Sequence, residues 1–192
     1  IHICHVLRYA PFYAAIRQCV LEGVIGDILN VQATEHVSYH HVASCYVRGK
    51  WSRKSDCHSS MLMAKCCHDL DLIAWMKSGI APCRVSSFGG NFQFHRGRAP
   101  QNAGTRCLVD CPLESSCLYS AGKHYIDHPH RWGPYVWASL ENIEHPTLED
   151  KTALLKGCSP YGRCVWKCDN EVVDHQSVLI DFEDGCSATL NM

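Results

Sequence analysis

Val178-Leu179-Ile180-Asp181-Phe182-Glu183-Asp184-Gly185-Cys186-Ser187-Ala188-Thr189-Leu190-Asn191-Met192 is the stretch that decides the fold of this chain. Val178, Ile180 and Phe182 alternate with Leu179 and Asp181, the period of two that a strand with one covered face requires. Asp184-Gly185 then turns the chain, and Cys186, Ala188, Leu190 and Met192 repeat the alternation. The segment reads as an antiparallel hairpin that stops in the middle of a strand pattern. Upstream, residues 83–94 read as another strand through Val85, Phe88, Phe92 and Phe94, loosened by Gly89-Gly90. Residues 28–37 read as a third, with Leu29, Val31 and Ala33 alternating against Asn30, Gln32 and Thr34.

Helical patterns lie between these strands. Pro11 suits a first helical turn, Phe12, Ile16, Cys19 and Val20 share one face, and Gly23 supplies a stop. A second helix runs from about Ser60 to Lys77, with Ser59 or Ser60 as its cap and Gly79 just past its end. Residues 1–9 are rich in strand formers and read as a strand. The stretch 38–59 is polar, aromatic and His-rich without period, so it reads as a loop that lines a site. Residues 95–147 are too long and unpatterned for an ordinary loop, which makes them an insertion with its own short elements or its own staple. Leu148 to Leu155 reads as a short helix. The fold class that follows is α+β: a largely antiparallel open sheet with helices on one face.

A chain of 192 residues with 46% hydrophobic and 19% charged side chains has enough apolar material for a real core. A net charge of −1 leaves no basic stripe for a phosphate backbone, so nucleic acid is not an expected partner. No run approaches the roughly 18 apolar residues of a membrane span, and the apolar start lacks a basic leader and cleavage site. Fourteen Cys and thirteen His are the anomaly. Cys19, Cys66, Cys67 and Cys186 sit inside apolar patterns, where a thiol acts as a small hydrophobe, and no periodic framework of half-cystines runs through the chain. A reducing, cytoplasmic setting is the expectation.

The second helix carries the chemistry. At 100° per residue its apolar arc holds Leu62, Met63, Cys66, Cys67, Leu70, Ile73 and Ala74, and the remaining arc gathers Lys65, His68, Asp69 and Asp71. An ammonium, an imidazole and two carboxylates over two turns are the inventory for moving a proton to or from a hydroxyl. The plain alternative is a solvated face with Lys65 and Asp69 paired at i,i+4.

Two further groups stand out. Tyr39, His41, Arg48 and Trp51 could stack on a sugar face and bind its hydroxyls or a carboxylate, or belong to a plain surface loop. Cys107, Cys111 and Cys117 are spaced C-x3-C-x5-C, with Cys164 and Cys168 following as C-x3-C. Cys107, Cys111, Cys117 and Cys168 are candidate ligands for Zn or an Fe–S cluster, against unligated thiols or a disulfide. His124, His128 and His130 are expected to be solvated.

Three motifs in order, His5-Val6-Leu7-Arg8-Tyr9-Ala10-Pro11-Phe12, Glu22-Gly23-Val24-Ile25-Gly26-Asp27-Ile28 and Cys67-His68-Asp69-Leu70-Asp71-Leu72, resemble the Gfo/Idh/MocA oxidoreductases. Tyr161-Gly162-Arg163-Cys164 through Asp169-Asn170 to Asp174-His175-Gln176 looks like one branch of that family. The resemblance implies that residues 1–9 are the last strand of a Rossmann domain missing from this chain. It makes residues 10–192 the C-terminal domain, itself lacking its last strands and carrying a Cys-rich insertion at about 95–147. It implies an NAD- or NADP-dependent dehydrogenase of a sugar, cyclitol or related hydroxyl or carbonyl compound, with the dinucleotide bound mainly by the absent N-terminal domain.

On the family's pattern His68 falls on the catalytic histidine and Asp71 on the following acidic position, Arg8 lies at the cofactor, and the 38–59 loop lies beside the catalytic helix. The open sheet face would join copies of the chain into a homo-oligomer. This chain departs from the family where an Asp is usual: Ala64 stands there, with Lys65 beside it. It also contains no G-x-G-x-x-G, so the chain alone is expected to be inactive. Two rivals remain open at this point, a non-catalytic sugar-binding or scaffold protein of the same fold and a Cys-rich metal-binding module.

Overall fold

The hairpin forms the middle of a four-stranded sheet. A computed structural model of the chain describes residues 4–128, 136 and 138–192. Its strands β1 (Asn30–Thr34), β2 (Pro82–Gly90), β3 (His175–Phe182) and β4 (Ser187–Asn191) lie in the order β1-β4-β3-β2. β3 pairs antiparallel with β2 and β4, and β1 pairs parallel with β4, Asn30 opposite Ser187. Gly185 takes φ +84 at the β3–β4 turn, a left-handed conformation that glycine adopts without steric cost. The sheet is therefore open and largely antiparallel, as the alternation implies.

Two compact units divide the chain, one of Ile1–His36, Met61–Gly90 and His175–Met192, the other of Val37–Ser60 and Asn91–Asp174. The first holds the sheet. Val178, Ile180 and Phe182 of β3 and Ala188 and Leu190 of β4 point to one face and pack with Cys66 and Ile73, while Leu62 and Leu70 flank them. The opposite face is bare among the described residues: Phe88 and Leu179 are exposed, Phe88 at 80%. The second unit is built of short helical turns around two apolar clusters, one of Ala43, Val47, Phe94, Cys164, Val165, Trp166 and Cys168, the other of Cys107, Ala121, Tyr125, Val136, Leu155 and Tyr161. Its helix Leu148–Lys156 opens on a capping box in which Thr147 and Asp150 satisfy each other's backbone N–H.

Several elements differ from the sequence-based expectation. Val6–Tyr9 is a 3-10 turn and not a strand, and residues 1–3 lie outside the described residues. Backbone bonds close that turn locally, Arg8 N–H to His5 O and Ala10 N–H to Leu7 O, both at 3.1 Å. β2 ends at Gly90, because the Asp174 carboxylate accepts the N–H groups of Phe92, Gln93 and Phe94 and turns the chain there. The 38–59 stretch is not a surface loop throughout, since a π-helical turn at Val42–Val47 buries Ala43 to Val47 without interruption. The helix Pro11–Leu21 forms, yet no residue of it is fully buried among the described residues: Phe12 is 70% exposed, and Cys19 is exposed too.

The N-terminal turn is tied to the sheet's helix by charge. Arg8 Nε and Nη2 donate to Asp71 Oδ2 and Oδ1 at 2.7 and 2.6 Å, a bidentate pair, and the guanidinium lies over the Trp75 ring. Arg8 holds the Asp71 carboxyl below the usual carboxylate range.

Two measurements check this arrangement. Ile180→Ala removes a side chain from the sealed face and is expected to cost about 2–5 kcal/mol, whereas Leu179→Ala on the bare face stays within about 0.5 kcal/mol; urea midpoints distinguish them. Asp71 is ionised more readily folded than unfolded, so its pairing stabilises above the unfolded value of about 3.9 and is lost as pH falls through the folded one. The stability gap between wild type and Asp71→Asn is therefore expected to be widest near neutrality and to close in acid; a gap independent of pH contradicts the pairing.

Candidate active site

The helix expected from Ser60 to Lys77 is two segments, Met61–Lys65 and Cys67–Met76, that meet at Cys66. Cys66 has φ −88 and ψ 8, off the helical well, yet its N–H still reaches Leu62 O at 2.9 Å and its carbonyl accepts from Leu70 N–H at 3.0 Å. The two segments thus keep one apolar side. Cys66 and Ile73 are buried against the sheet, whereas Met63 and Ala74 of the expected apolar arc are exposed, and Lys65, His68, Asp69 and Asp71 are partly buried.

Their partners are long-range. Lys65 Nζ lies 2.8 Å from Glu35 Oε1, both largely shielded, so the lysine pairs with Glu35 just beyond β1. Asp69 stands in the same field: burial first, then the like charge of Glu35, pushes its carboxyl above the ordinary range, and Lys65 only partly offsets this. A carboxyl so disposed keeps its proton to higher pH and can donate it. Asp71 is held by Arg8, with His5 Nε2 3.8 Å from Oδ1. The His68 ring meets His5 edge to face with centroids 6.0 Å apart. His68 Nδ1 is shielded from solvent and has no hydrogen-bond partner among the described residues.

This arrangement revises the roles drawn from sequence. Lys65 comes from the first segment and His68 and Asp71 from the second, but Asp71 spends both oxygens on Arg8, and Lys65 is paired with Glu35. His68 keeps an uncommitted ring nitrogen, the requirement for taking or giving a proton. Glu35 and His5 escaped the sequence argument. Glu35 had a signal: it extends the inward-facing odd positions Val31 and Ala33 of β1, where an acidic side chain is out of place.

In the second unit Tyr39, half exposed, meets the rings of His40, Tyr119 and His124, His41 lies against Tyr46, and Trp51 carries Lys50 Nζ 5.1 Å above its ring. Arg48 does not join them at a surface. It is 1% exposed and gives Nε to Arg163 O and Nη2 to Tyr119 O, each at 2.7 Å, because the buried turn before it carries its side chain inward. His124 is likewise buried and not solvated. Burial, then the Arg48 charge, pushes its imidazole down to about 4, and Nε2 meets Leu118 O at 2.9 Å. His128 is exposed, and His130 lies outside the described residues.

The cysteine set also changes. Cys107, Cys111, Cys117 and Cys168 are all free thiols, and among the described residues no three His, Cys, Asp or Glu side chains are grouped to hold one metal ion. Cys168 turns away because its Sγ donates to Cys164 O at 3.3 Å inside an apolar cluster. Among the described residues no helix is long and apolar enough to cross a membrane.

Comparison with known proteins fits this geometry. The model of the GFO/IDH/MocA C-terminal domain matches residues 13–192. "Putative oxidoreductase YteT" of Bacillus subtilis (strain 168) is 23% identical over 182 residues, which are 93% of this chain and 39% of that protein. An oxidoreductase domain protein from Kribbella flavida superposes with a TM-score of 0.52 at 16% identity, over 97% of this chain and 34% of its own, a likeness of fold. The chain thus spans about two fifths of the curated relative and one third of the solved one. With a sheet open on one face, a helix packed on the other and a family model running through residues 13–192, the chain belongs to the Gfo/Idh/MocA oxidoreductase family as its C-terminal domain.

Proposed function

We propose that this chain supplies the substrate pocket and the proton-transfer helix of an NAD- or NADP-dependent oxidoreductase acting on a sugar, a cyclitol or a related hydroxyl or carbonyl compound. The observation that carries the reading is His68, whose Nδ1 is shielded and uncommitted while the charges around it are paired off. Hydride transfer between a hydroxyl carbon and a nicotinamide needs a group to take the hydroxyl proton, and the imidazole is that group. Asp71 and Arg8 fix the electrostatics beside it. Lys65 and Glu35 set the protonation of Asp69, which replenishes or drains the proton at the site.

Arg8 has three N–H donors beyond the two given to Asp71, and it reaches the cofactor with these. Tyr39, His41 and Trp51 are the proposed carbohydrate contacts, aromatic faces suited to the C–H side of a sugar ring. The bare sheet face with Phe88 and Leu179 is the proposed contact between copies of the chain. A second reading, a non-catalytic sugar-binding or scaffold protein, rests on Ala64 in place of the family's Asp.

The test uses the full-length protein with a sugar or cyclitol that it turns over. His68→Ala is expected to lower kcat by about 10²- to 10⁴-fold while the affinity for the nicotinamide cofactor changes little, because the imidazole acts on the substrate proton. Lys65→Met is expected to lower kcat with KM little changed; an unchanged rate makes Lys65 a surface charge. Near-normal turnover by His68→Ala removes the catalytic reading and favours the second.

A further inference from the structure

Within the second unit lies a cavity of about 430 Å3, with Arg48, Cys107, Leu118, Cys164, Val165 and Trp166 in its lining. Protein interiors hold few voids larger than a water molecule, and a space of this size suits a small organic ligand.

Local structure places two nitrogen donors in the wall. The π-helical turn Val42–Val47 ends at Arg48, whose N–H reaches Ala43 O at 3.1 Å. Gly49 lets the chain double back there, since a Cβ at that position would collide with Ser44 O. The Arg48 side chain is thereby turned into the unit and is fully buried. Trp166 belongs to the 3-10 turn Val165–Lys167, and its ring meets Tyr119 edge to face with centroids 5.3 Å apart. Residues 106 and 163 form an isolated antiparallel bridge that brings Cys107 and Cys164 into the same lining, with Cys107 N–H on Gly162 O at 3.0 Å and Cys164 N–H on Thr105 O at 2.9 Å.

Both donors lack an acceptor. Arg48 gives Nε to Arg163 O and Nη2 to Tyr119 O and Cys107 Sγ, while its Nη1 has no partner among the described residues. Trp166 Nε1 has none either. Both side chains are more than nine-tenths buried, and a guanidinium and an indole N–H can only donate, so what the cavity lacks beside them is an acceptor.

Charge narrows that acceptor to an anion. Glu114, the acidic residue in the cavity wall, accepts the Ser120 hydroxyl, and no carboxylate among the described residues forms an ion pair with Arg48. Burial pushes up the Cys117 and Cys164 thiols and the Tyr125 phenol, so these stay neutral and do not supply the counter-charge. A buried cation without one is costly, and a carboxylate meets a guanidinium through charge-assisted hydrogen bonds. Pro100, Ala103, Leu118 and Val165 add an apolar lining that suits a hydrocarbon body. We propose that this cavity binds a small carboxylic acid with an apolar body, its carboxylate held by Arg48 and Trp166. The inference does not rest on the role proposed for His68.

The experiment is calorimetric titration of the full-length protein with phenylacetate, and with phenylacetamide as an uncharged counterpart of nearly the same shape. Phenylacetate is expected to bind saturably with a Kd of about 1 mM or tighter, and the amide at least about tenfold more weakly. Arg48→Met keeps a long buried side chain without the charge and is expected to weaken phenylacetate binding by about tenfold or more. Trp166→Phe removes the N–H while keeping a ring, and a loss of about fivefold is expected. No saturable binding of phenylacetate, equal affinity for acid and amide, or unchanged affinity in Arg48→Met each overturns the proposal. Should Arg48→Met misfold by circular dichroism, Trp166→Phe decides in its place, and unchanged phenylacetate affinity in that variant overturns the proposal.

Discussion

The packing of Val178, Ile180 and Phe182 against Cys66 and Ile73 is the contact on which the sheet unit depends. β3 is a central strand, so its alternation fixes which face of the sheet is sealed, and a slip of one residue in register would put Leu179 and Asp181 inside. The sealed face in turn fixes the rotation of the helix that covers it. With Cys66 and Ile73 inward, Lys65, His68, Asp69 and Asp71 stay partly buried beside the packed seam. The site is thus a consequence of core packing: hydrophobic burial orients the helix, and the polar residues take the positions that remain.

Charges at the site are arranged so that one group is left free. Asp71 is satisfied by Arg8 and Lys65 by Glu35, while Asp69 is pressed toward its neutral form by burial and by Glu35. A helix carrying three such charges in water would screen them. Here partial burial keeps them coupled, and His68 stands among them with a ring nitrogen that has no hydrogen-bond partner among the described residues. Next to Ala64, Lys65 is paired with Glu35 and only partly offsets the rise at Asp69.

Legibility in the sequence followed the range of the interaction. The terminal hairpin, β1, the Cys67–Met76 helix and the capped helix Leu148–Lys156 were readable because period, turn and cap are local properties. The Val42–Val47 turn was not, since a segment buried on all sides has no period to show, and with it went the inward course of Arg48. Cys164 replaced Cys168 beside Cys107 because the 106–163 bridge joins residues far apart in the chain. The same holds for Arg8 with Asp71 and Lys65 with Glu35, pairs that tertiary structure selects from several candidates of the right charge. The family resemblance supplied His68, and the structure added its partners and excluded Arg48 from the surface contacts.

The pH dependence of kcat/KM in the full-length protein, compared with that of His68→Gln, tests the central claim most directly. An imidazole that takes the substrate proton must be neutral in the free enzyme, so the wild-type rate is expected to fall in acid along a limb that the glutamine variant lacks. Glutamine keeps the size and polarity of the site while removing the titration. Identical profiles for the two proteins, or a variant slowed by the same factor at every pH, would contradict His68 as the proton-transfer group and assign the loss to structure.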